Sequence, residues 1–376
     1  MKRKLFAMIT AIFLVVTMFT GCTQKGSGGK TTPTPTATPT KAEVVKVGVA
    51  MPTQSLQRWN QDGTNLKAEL EAKGYKVTLQ YADNKVDTQV NQVQNMIADG
   101  CKVLIIAAVD NDSLATVLKD AGDLLVISYD RLIQKTPNVD YYATFDNYKV
   151  GVLQAQYIID KLDLKNAKTA GKTYNMEIVA GAPTDTNANY FYNGAMDTIK
   201  SYIDDGTLNV LSGQKEFEKV ATEQCNTEKA MNRVQDILAS FYASGKKLDV
   251  VLCSNDSTAL GAITALLSDY KGGNWPIITG QDCDVANTNY IIQGKQAMAV
   301  FKDTRDLATQ TVKMVSQFLN NQTVDVNDTK TYNNGSFVVP TYMCTPTVCT
   351  KDNYHKLLIE SGYYIENTDG TVAAKK

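Results

Sequence analysis

Polar and charged side chains follow several apolar runs of this chain, each at the point where a predicted β-strand ends. Asp130 and Arg131 come directly after Leu124–Tyr129, and Lys302 closes the run Met298–Phe301. In open α/β sheets the carboxyl ends of the strands meet at one edge, where ligands bind. The shared position therefore predicts a single binding site. Its polar part comprises Asp130, Arg131, Asn187, Asn255, Asp256, Asp282 and Lys302.

These residue types suit a sugar as the ligand. Each sugar hydroxyl both donates and accepts hydrogen bonds, so Asp and Asn can accept from it while Arg, Lys and Asn donate to it. Charged partners strengthen each bond, and one Arg can serve two neighbouring hydroxyls. Trp59 and Phe191 are the predicted aromatic planes for the C–H face of the ring. Because burying such polar groups without a ligand is costly, we expect a cleft that closes when it is filled.

The sequence also leaves an ordinary structural role open for each of these residues. Asp256 or Ser257 is well placed to cap the helix that begins there. Asp130 and Arg131 can form a local ion pair, the two aromatic residues can belong to the core, and Lys302 can lie on the surface. Both kinds of role can coexist at one position.

The same residues disfavour an enzyme and a metal site. Asp130, Asp256 and Asp282 could serve as acid and base in glycoside hydrolysis. Each of them, however, has a donor beside it or an expected sugar hydroxyl to bind, and nothing signals an acid that stays protonated near neutral pH. His355 is the single histidine and no CxxC motif occurs, which disfavours a zinc site. We expect no enzyme, no cofactor and no metal.

The N-terminus predicts export and attachment to a membrane. A basic head, Lys2 to Lys4, precedes the apolar run Leu5–Phe19 and then Cys22. This pattern predicts a signal peptide over residues 1–21 and lipidation of the Cys22 thiol. A Thr, Pro and Gly-rich linker over residues 22–43 cannot bury enough apolar surface to fold. We therefore expect an extracytoplasmic lipoprotein on a flexible stalk.

The charge and the cysteine content limit the partners and the covalent chemistry that the sequence allows. The formal net charge is −1 and the body contains no Lys/Arg run, so no nucleic acid is expected. A transcription factor of the sugar-repressor kind would need a helix-turn-helix head where the signal and stalk stand.

Secretion permits disulfides, but their pairing stays open. The cysteines concerned are Cys101, Cys225, Cys253, Cys283, Cys344 and Cys349.

Short apolar runs alternate with longer amphipathic stretches along the body. This alternation predicts βαβ units around parallel sheets, hence an α/β protein with two doubly wound lobes, one before about Asn147 and one after. The predicted strands are Val44–Ala50, Lys76–Tyr81, Val103–Ala108, Leu124–Tyr129, Met176–Ala180, Val210–Gln214, Val250–Cys253, Ile277–Thr279 and Met298–Phe301. The predicted helices are Trp59–Lys73, Thr88–Ala98, Tyr148–Lys161, Tyr190–Asp204, Lys229–Tyr242, Ser257–Tyr270 and Thr304–Asn320.

Several short motifs at the predicted strand ends resemble one protein family. They are Ser128–Leu132, Tyr142–Asn147, Val150–Ala155, Gly181–Asn187, Ser254–Asp256, Thr279–Asp282, Phe301–Lys302, Tyr332–Gly335 and Val338–Pro340. With them the chain resembles the type I periplasmic-binding-protein-like sugar receptors of ABC importers. It is most similar to the multiple-monosaccharide-binding (ChvE-type) and xylose-binding proteins.

The resemblance implies two Rossmann-like lobes joined by a three-segment hinge, with the ligand between them. It implies a first lobe of residues 44–147 plus 303–330 and a second of 148–302 plus 331–370. Arg58, Trp59, Asp130 and Arg131 would approach from the first lobe, Asn187, Phe191, Asn255, Asp256 and Asp282 from the second, and Lys302 from a crossover. Gln54 stands where several multiple-sugar relatives carry a Lys, which favours a neutral ligand over an acidic one.

The expected function is capture of a neutral monosaccharide, such as xylose, glucose or a galactose-like sugar. The resemblance implies delivery to an ABC permease and its ATPase by a monomeric receptor. Two alternatives stay open. The ligand could be a short oligosaccharide, an autoinducer furanose or a nucleoside, and the receptor could instead serve a membrane sensor kinase.

Overall fold

The structure is a computed structural model and describes residues 44–375. The predicted signal peptide, Cys22 and the linker up to residue 43 lie outside the described residues. Within residues 44–375, no helix combines the length and the apolar character that crossing a membrane requires.

Strands and helices alternate along most of the described chain. The strands are β1 Lys46–Met51, β2 Lys76–Tyr81, β3 Val103–Ile106, β4 Leu125–Tyr129, β5 Tyr141–Phe145, β6 Tyr174–Val179, β7 Leu208–Asn209, β8 Val250–Cys253, β9 Ile277–Ile278, β10 Met298–Phe301, β11 Thr341–Cys344, β12 Thr347–Thr350, β13 Tyr364–Glu366 and β14 Val372–Ala374. The helices are α1 Gln57–Ala72, α2 Val86–Ala98, α3 Asn147–Leu162, α4 Leu164–Thr169, α5 Thr186–Asp204, α6 Phe217–Val220, α7 Thr227–Ile237, α8 Asp256–Asp269, α9 Val285–Ile292 and α10 Thr304–Leu319. Short 3₁₀ or π turns cover Val117–Ala121, Glu223–Cys225, Leu238–Tyr242 and His355–Glu360.

The first lobe is built on a parallel sheet of six strands in the order β11-β5-β4-β3-β1-β2. Its central strands are buried on both faces, which is why they read as continuous apolar runs. Helices α1 and α10 pack against each other on one face, and α2 covers the other. The carboxyl ends of these strands point toward the second lobe.

One segment differs from the predicted lobe boundaries. The resemblance assigns residues 331–370 as a whole to the second lobe, but β11 pairs in parallel with β5, with Thr341 opposite Tyr142. Tyr332 and Val339, which precede β11, pack in the core of the first lobe. The assignment is therefore wrong for the stretch from Tyr332 to Cys344, because the hydrogen bonds of β11 complete the edge of the first sheet.

The second lobe is built on a parallel sheet in the order β7-β6-β8-β9. An isolated parallel bridge between Gln281 and Val300 brings β10 alongside the end of β9. β10 pairs in turn with β12, antiparallel. The chain ends in a hairpin of β13 and β14, which packs beside α9. The strand predicted at Val210–Gln214 lies slightly earlier, at β7.

Helices α3 and α5 approach each other closely through two glycines. A Cβ added to Gly151 would meet the backbone oxygen of Phe191 and lie 2.6 Å from the backbone nitrogen of Ala195. A Cβ added to Gly194 would meet the backbone oxygen of Tyr148. Only glycine permits this approach, so the two residues fix the depth at which α5 sits. Helix α5 in turn carries Asn187 and Phe191.

We expect Gly151→Ala to lower the free energy of unfolding by about 1–3 kcal/mol, because the added methyl forces the two helices apart. Urea denaturation of both forms measures the change. Lys149→Ala, on the exposed side of the same helix, is the control and should stay within about 0.5 kcal/mol of the wild type. Equal stability of the two variants would contradict the close packing.

Candidate ligand-binding site

A cavity lies between the lobes, at the carboxyl ends of both sheets. Asp130 and Arg131 follow β4, Ser254 and Asn255 follow β8, and Lys302 follows β10. The walls thus come from strand ends of both halves of the molecule. The full lining is Leu56, Arg58, Trp59, Asp130, Arg131, Gly181, Asp185, Ala188, Phe191, Cys225, Ser254, Asn255, Ser257, Gln281, Asp282, Asp284 and Lys302.

Most of the site residues predicted from the sequence are brought together on this wall. They are Arg58, Trp59, Asp130, Arg131, Phe191, Asn255, Asp282 and Lys302. Three predicted residues do not line the cavity: Gln54, Asn187 and Asp256.

Each of the three has a different location. Gln54 is exposed in the loop between β1 and α1. Asn187 is buried, and its amide nitrogen donates to the backbone oxygen of Asp130 at 2.5 Å, so it joins the lobes behind the cavity wall. Asp256 is fully buried, and its carboxylate accepts from the Gln296 side chain and the Asp284 backbone, each at 2.8 Å.

The cap of α8 also differs from the expectation. Asn255, not Asp256 or Ser257, is the capping residue, and its side chain accepts from the backbone nitrogen of Thr258 at 3.2 Å. Asn255 therefore combines a structural role with a place on the cavity wall. The Asn255 amide nitrogen remains the group with which it can donate to a ligand.

A buried ion network centred on Arg58 spans the two lobes. The guanidinium lies 2.6 Å from Asp62, 3.0 Å from Asp130 and 3.6 Å from Asp282. Lys302 Nζ lies 3.1 Å from the same Asp282 oxygen and 3.9 Å from Asp130. Each cation thus contacts carboxylates from both lobes.

The network shifts the proton affinities of its members. Burial alone would raise the pKa of Asp130, but Arg58, Lys302 and Arg131 outweigh burial and hold that pKa below its usual value. Burial opposes the charge of Arg58 too, yet Asp130, Asp62 and Asp282 raise its pKa well above the usual value. Arg58 and Asp130 are consequently both ionised.

A second ion pair joins the lobes near Trp59. Arg131 Nε lies 3.2 Å from a carboxylate oxygen of Asp185, and its guanidinium donates to the backbone oxygen of Ala108 at 2.9 Å. The guanidinium carbons of Arg58 and Arg131 lie 4.4 Å and 5.0 Å from the centre of the Trp59 ring. Trp59 is only 2% exposed, so it is a core residue as well as part of the wall.

Several buried polar atoms of the wall make no hydrogen bond of good geometry within residues 44–375. They are Trp59 Nε1, Arg131 Nε, Gln281 Oε1, Asp282 Oδ1 and Asp284 Oδ1. Arg131 lies close to Asp185, and Asp282 lies close to Lys302, but the angles of these two ion pairs are too poor for hydrogen bonds. Because buried polar atoms are nearly always paired, this mixture of donors and acceptors indicates a polar ligand with hydroxyl groups.

The sequence interpretation missed Asp185, Ser254, Ser257, Gln281 and Asp284 as parts of the wall. All five belong to or adjoin the strand-end motifs, so their position was visible. What the sequence could not show is which side chain of each motif faces the cavity. That depends on backbone geometry such as the positive φ of 96° at Asp282.

Two carboxylates at the site have proton affinities in or near the neutral range. Burial, and then the nearby charge of Asp282, raises the pKa of Asp284 to about 7. Burial raises the pKa of Asp62 to about 6, against the opposing effect of Arg58. The pKa of Asp256 is raised well above its usual value by burial and by Asp284.

Comparison with known proteins decides the family. A family model described as a periplasmic binding protein domain matches residues 47–323. The chain belongs to this family. The multiple sugar-binding periplasmic receptor ChvE of Rhizobium radiobacter is 46% identical over 323 residues, covering 85% of this chain and 90% of the relative. The D-xylose-binding periplasmic protein of Escherichia coli is 33% identical, covering 87% of this chain and 93% of the relative.

Solved structures of similar proteins share the fold. An ABC transporter solute-binding protein from Clostridium phytofermentans, with bound β-D-glucose, is 55% identical with a TM-score of 0.83, covering 86% of this chain and 99% of that one. A carbohydrate transporter solute-binding protein from Chloroflexus aurantiacus, in complex with D-glucose, is 34% identical with a TM-score of 0.77, covering 85% and 96%. The predicted type I fold with two α/β lobes is thereby confirmed.

The raised carboxylate pKa values predict how stability depends on pH. In the unfolded chain Asp titrates near pH 3.9, so between about pH 4 and 7 the folded state binds more protons at Asp62 and Asp284. The stabilisation is present below this window and is lost as the pH rises through it. We expect the free energy of unfolding, measured in urea at a series of pH values, to fall across the window.

Asp284→Asn should flatten this decline, most strongly near pH 6–7, because the titrating group is removed. Asp352→Asn, at an exposed position, is the control and should leave the slope unchanged. An unaltered slope in Asp284→Asn would show that Asp284 is already ionised in the folded protein throughout the window.

Proposed function

We propose that this protein is an extracytoplasmic receptor that captures a neutral monosaccharide in the cavity between its lobes and delivers it to an ABC importer. The observation that carries the proposal is the buried wall itself, in which the cations are already paired with carboxylates while hydrogen-bonding atoms remain without partners. Such a wall suits a ligand that has many hydroxyl groups and no net charge.

The neutral character of the ligand rests on charge pairing. The cationic side chains on the wall are Arg58, Arg131 and Lys302, and each lies within 4.0 Å of a carboxylate. An acidic sugar would add a negative charge beside Asp130 and Asp282 without finding an unpaired cation. Gln54 is exposed and does not line the cavity, so its identity does not bear on the charge of the ligand.

Relatedness favours a monosaccharide. The similar proteins from Clostridium phytofermentans and Chloroflexus aurantiacus hold glucose. Glucose, xylose and a galactose-like sugar are therefore the first candidates. A short oligosaccharide, an autoinducer furanose or a nucleoside is the alternative ligand class.

The remaining parts of the proposal concern partners and chemistry. We propose that lipidated Cys22 holds the receptor at the membrane and that residues 22–43 act as a stalk. The receptor would act as a monomer that presents its closed form to the permease and its ATPase, or to a membrane sensor kinase. We propose no catalysis, because Asp130 and Asp282 are engaged by Arg58 and Lys302.

Isothermal titration calorimetry against a panel of sugars tests the ligand class. The panel holds D-glucose, D-xylose, D-galactose, glucuronic acid, a disaccharide, an autoinducer furanose and adenosine. We expect the neutral monosaccharides to bind most tightly and to be recovered unchanged from the complex. Tighter binding of glucuronic acid or adenosine, or hydrolysis of the disaccharide, would overturn the proposal.

We expect Asp282→Asn to weaken binding of the preferred sugar by about 10- to 100-fold, because a hydrogen bond to a charged group contributes about 1.5–3 kcal/mol. The matched control is Gln54→Ala, which removes a predicted site residue that lies outside the cavity wall and should leave affinity within about twofold. Calorimetry on both variants decides the point. A larger loss in Gln54→Ala than in Asp282→Asn would mean that the cavity is not the binding site.

A further inference from the structure

Gln57, the first residue of α1, makes two hydrogen bonds to the second lobe. Its amide nitrogen donates to the Tyr364 hydroxyl at 2.6 Å, and its amide oxygen accepts from the backbone nitrogen of Val285 at 3.0 Å. Helix α1 packs on α10 and β2 of the first lobe. Neither Gln57 nor Tyr364 lines the cavity. These bonds therefore join the lobes without touching a ligand.

The Val285 end of the contact is a helix terminus that has no cap of its own. Val285 is the first residue of α9, and the backbone N–H groups of a first helical turn have no partner inside the helix. The preceding residue, Asp284, makes no capping hydrogen bond with its side chain. Gln57 supplies the missing acceptor from the opposite lobe.

The Tyr364 end of the contact is fixed to the second lobe. The Tyr364 hydroxyl donates to the backbone oxygen of Cys283 at 2.8 Å, and its ring is 1% exposed. Strand β13 begins at Tyr364, and its partner β14 is tied to α9 by two bonds between Asn289 and Val372, of 2.8 Å and 3.2 Å. These contacts attach the C-terminal hairpin to the second lobe.

Both ends of the contact adjoin residues of the cavity wall. Gln57 immediately precedes Arg58, and Cys283 lies between Asp282 and Asp284. The contact thus holds the start of α1 against the loop that carries Asp282, the two elements whose side chains meet at 3.6 Å across the cleft. Separation of the lobes breaks both Gln57 bonds.

We propose that Gln57 and Tyr364 form a closure latch: two positioning residues that stabilise the closed, ligand-holding arrangement and set affinity for every ligand by the same factor. The proposal rests on the proposed function of ligand capture. When the protein without ligand is mostly open, the apparent affinity for a ligand is proportional to the equilibrium constant for closure. The latch should raise that equilibrium constant, and it should do so without contributing to the choice of sugar.

The test compares Gln57→Ala, which removes both Gln57 bonds, with Tyr364→Phe. The second variant keeps the ring and the Gln57–Val285 bond but removes the hydroxyl that contacts Gln57, Gln61 and Cys283. A net hydrogen bond changes an equilibrium constant by about threefold to tenfold. We therefore expect sugar affinity to fall about 5- to 50-fold in Gln57→Ala and about 3- to 10-fold in Tyr364→Phe. The losses should be equal for D-glucose and D-xylose in calorimetry. Stopped-flow kinetics should place them mainly in faster ligand release.

Tyr354→Phe is the matched control, since the Tyr354 hydroxyl contacts Glu366 within the second lobe, and its affinity should stay within twofold of the wild type. Small-angle scattering at one sub-saturating D-glucose concentration should show a more open average for Gln57→Ala than for the wild type. Should Tyr364→Phe fail to fold, Gln57→Ala decides alone, because Gln57 is partly exposed and outside the core.

Two outcomes overturn the latch. One is wild-type affinity in Gln57→Ala, and the other is a change of more than threefold in the ratio of glucose to xylose affinity, which would make Gln57 a specificity residue. Either result leaves the proposed function intact as long as the wild-type protein binds sugar. A wild-type protein that binds no sugar of the panel contradicts the proposed function itself, and the latch with it.

Discussion

The buried charge of Arg58 constrains the rest of this structure. A guanidinium removed from water must be paired, because the loss of hydration is far larger than a hydrogen bond can return. Asp62 and Asp130 pair it from the first lobe, and Asp282 approaches from the second at 3.6 Å. Asp62 and Asp130 thus compensate the guanidinium within the first lobe, and Asp282 adds a third carboxylate when the lobes are together. Closing the cleft therefore adds a contact between the lobes to a charge that is already paired.

The same constraint determines what the cleft can hold. Lys302 shares Asp282 with Arg58, and Arg131 is paired with Asp185. With the ions compensating one another, the remaining binding capacity lies in unpaired hydrogen-bonding atoms of the wall. Hydroxyl groups can satisfy both the donors and the acceptors among them, whereas an added charge would disturb the balance. Outside the wall, Gln57 uses a neutral contact for the same closure, so ligand choice and closure energy can change separately.

Prediction of the site from the sequence succeeded where the location of a residue follows directly from its position in the chain. Asp130, Arg131 and Lys302 are on the wall because they follow buried strands, and strand ends of parallel sheets share an edge. It failed where the direction of a side chain mattered. Asn187 and Asp256 lie beside the wall but turn their polar groups into the protein. Gln54 lies in a loop, where no sheet or helix periodicity fixes a direction.

The sequence by itself determined the α/β class, the positions of most strands and helices, and the residue types at the strand ends. These features are local, because they depend on the spacing of apolar residues and on the polar residues that follow each apolar run. Tertiary structure decided that β11 completes the first sheet, that Asp284 and Asp185 face the cavity, and that Gln57 meets α9. Those outcomes depend on hydrogen bonds and packing between residues up to 228 positions apart. No local pattern encodes such distant pairings, since they form only when segments far apart in the chain meet in the folded protein.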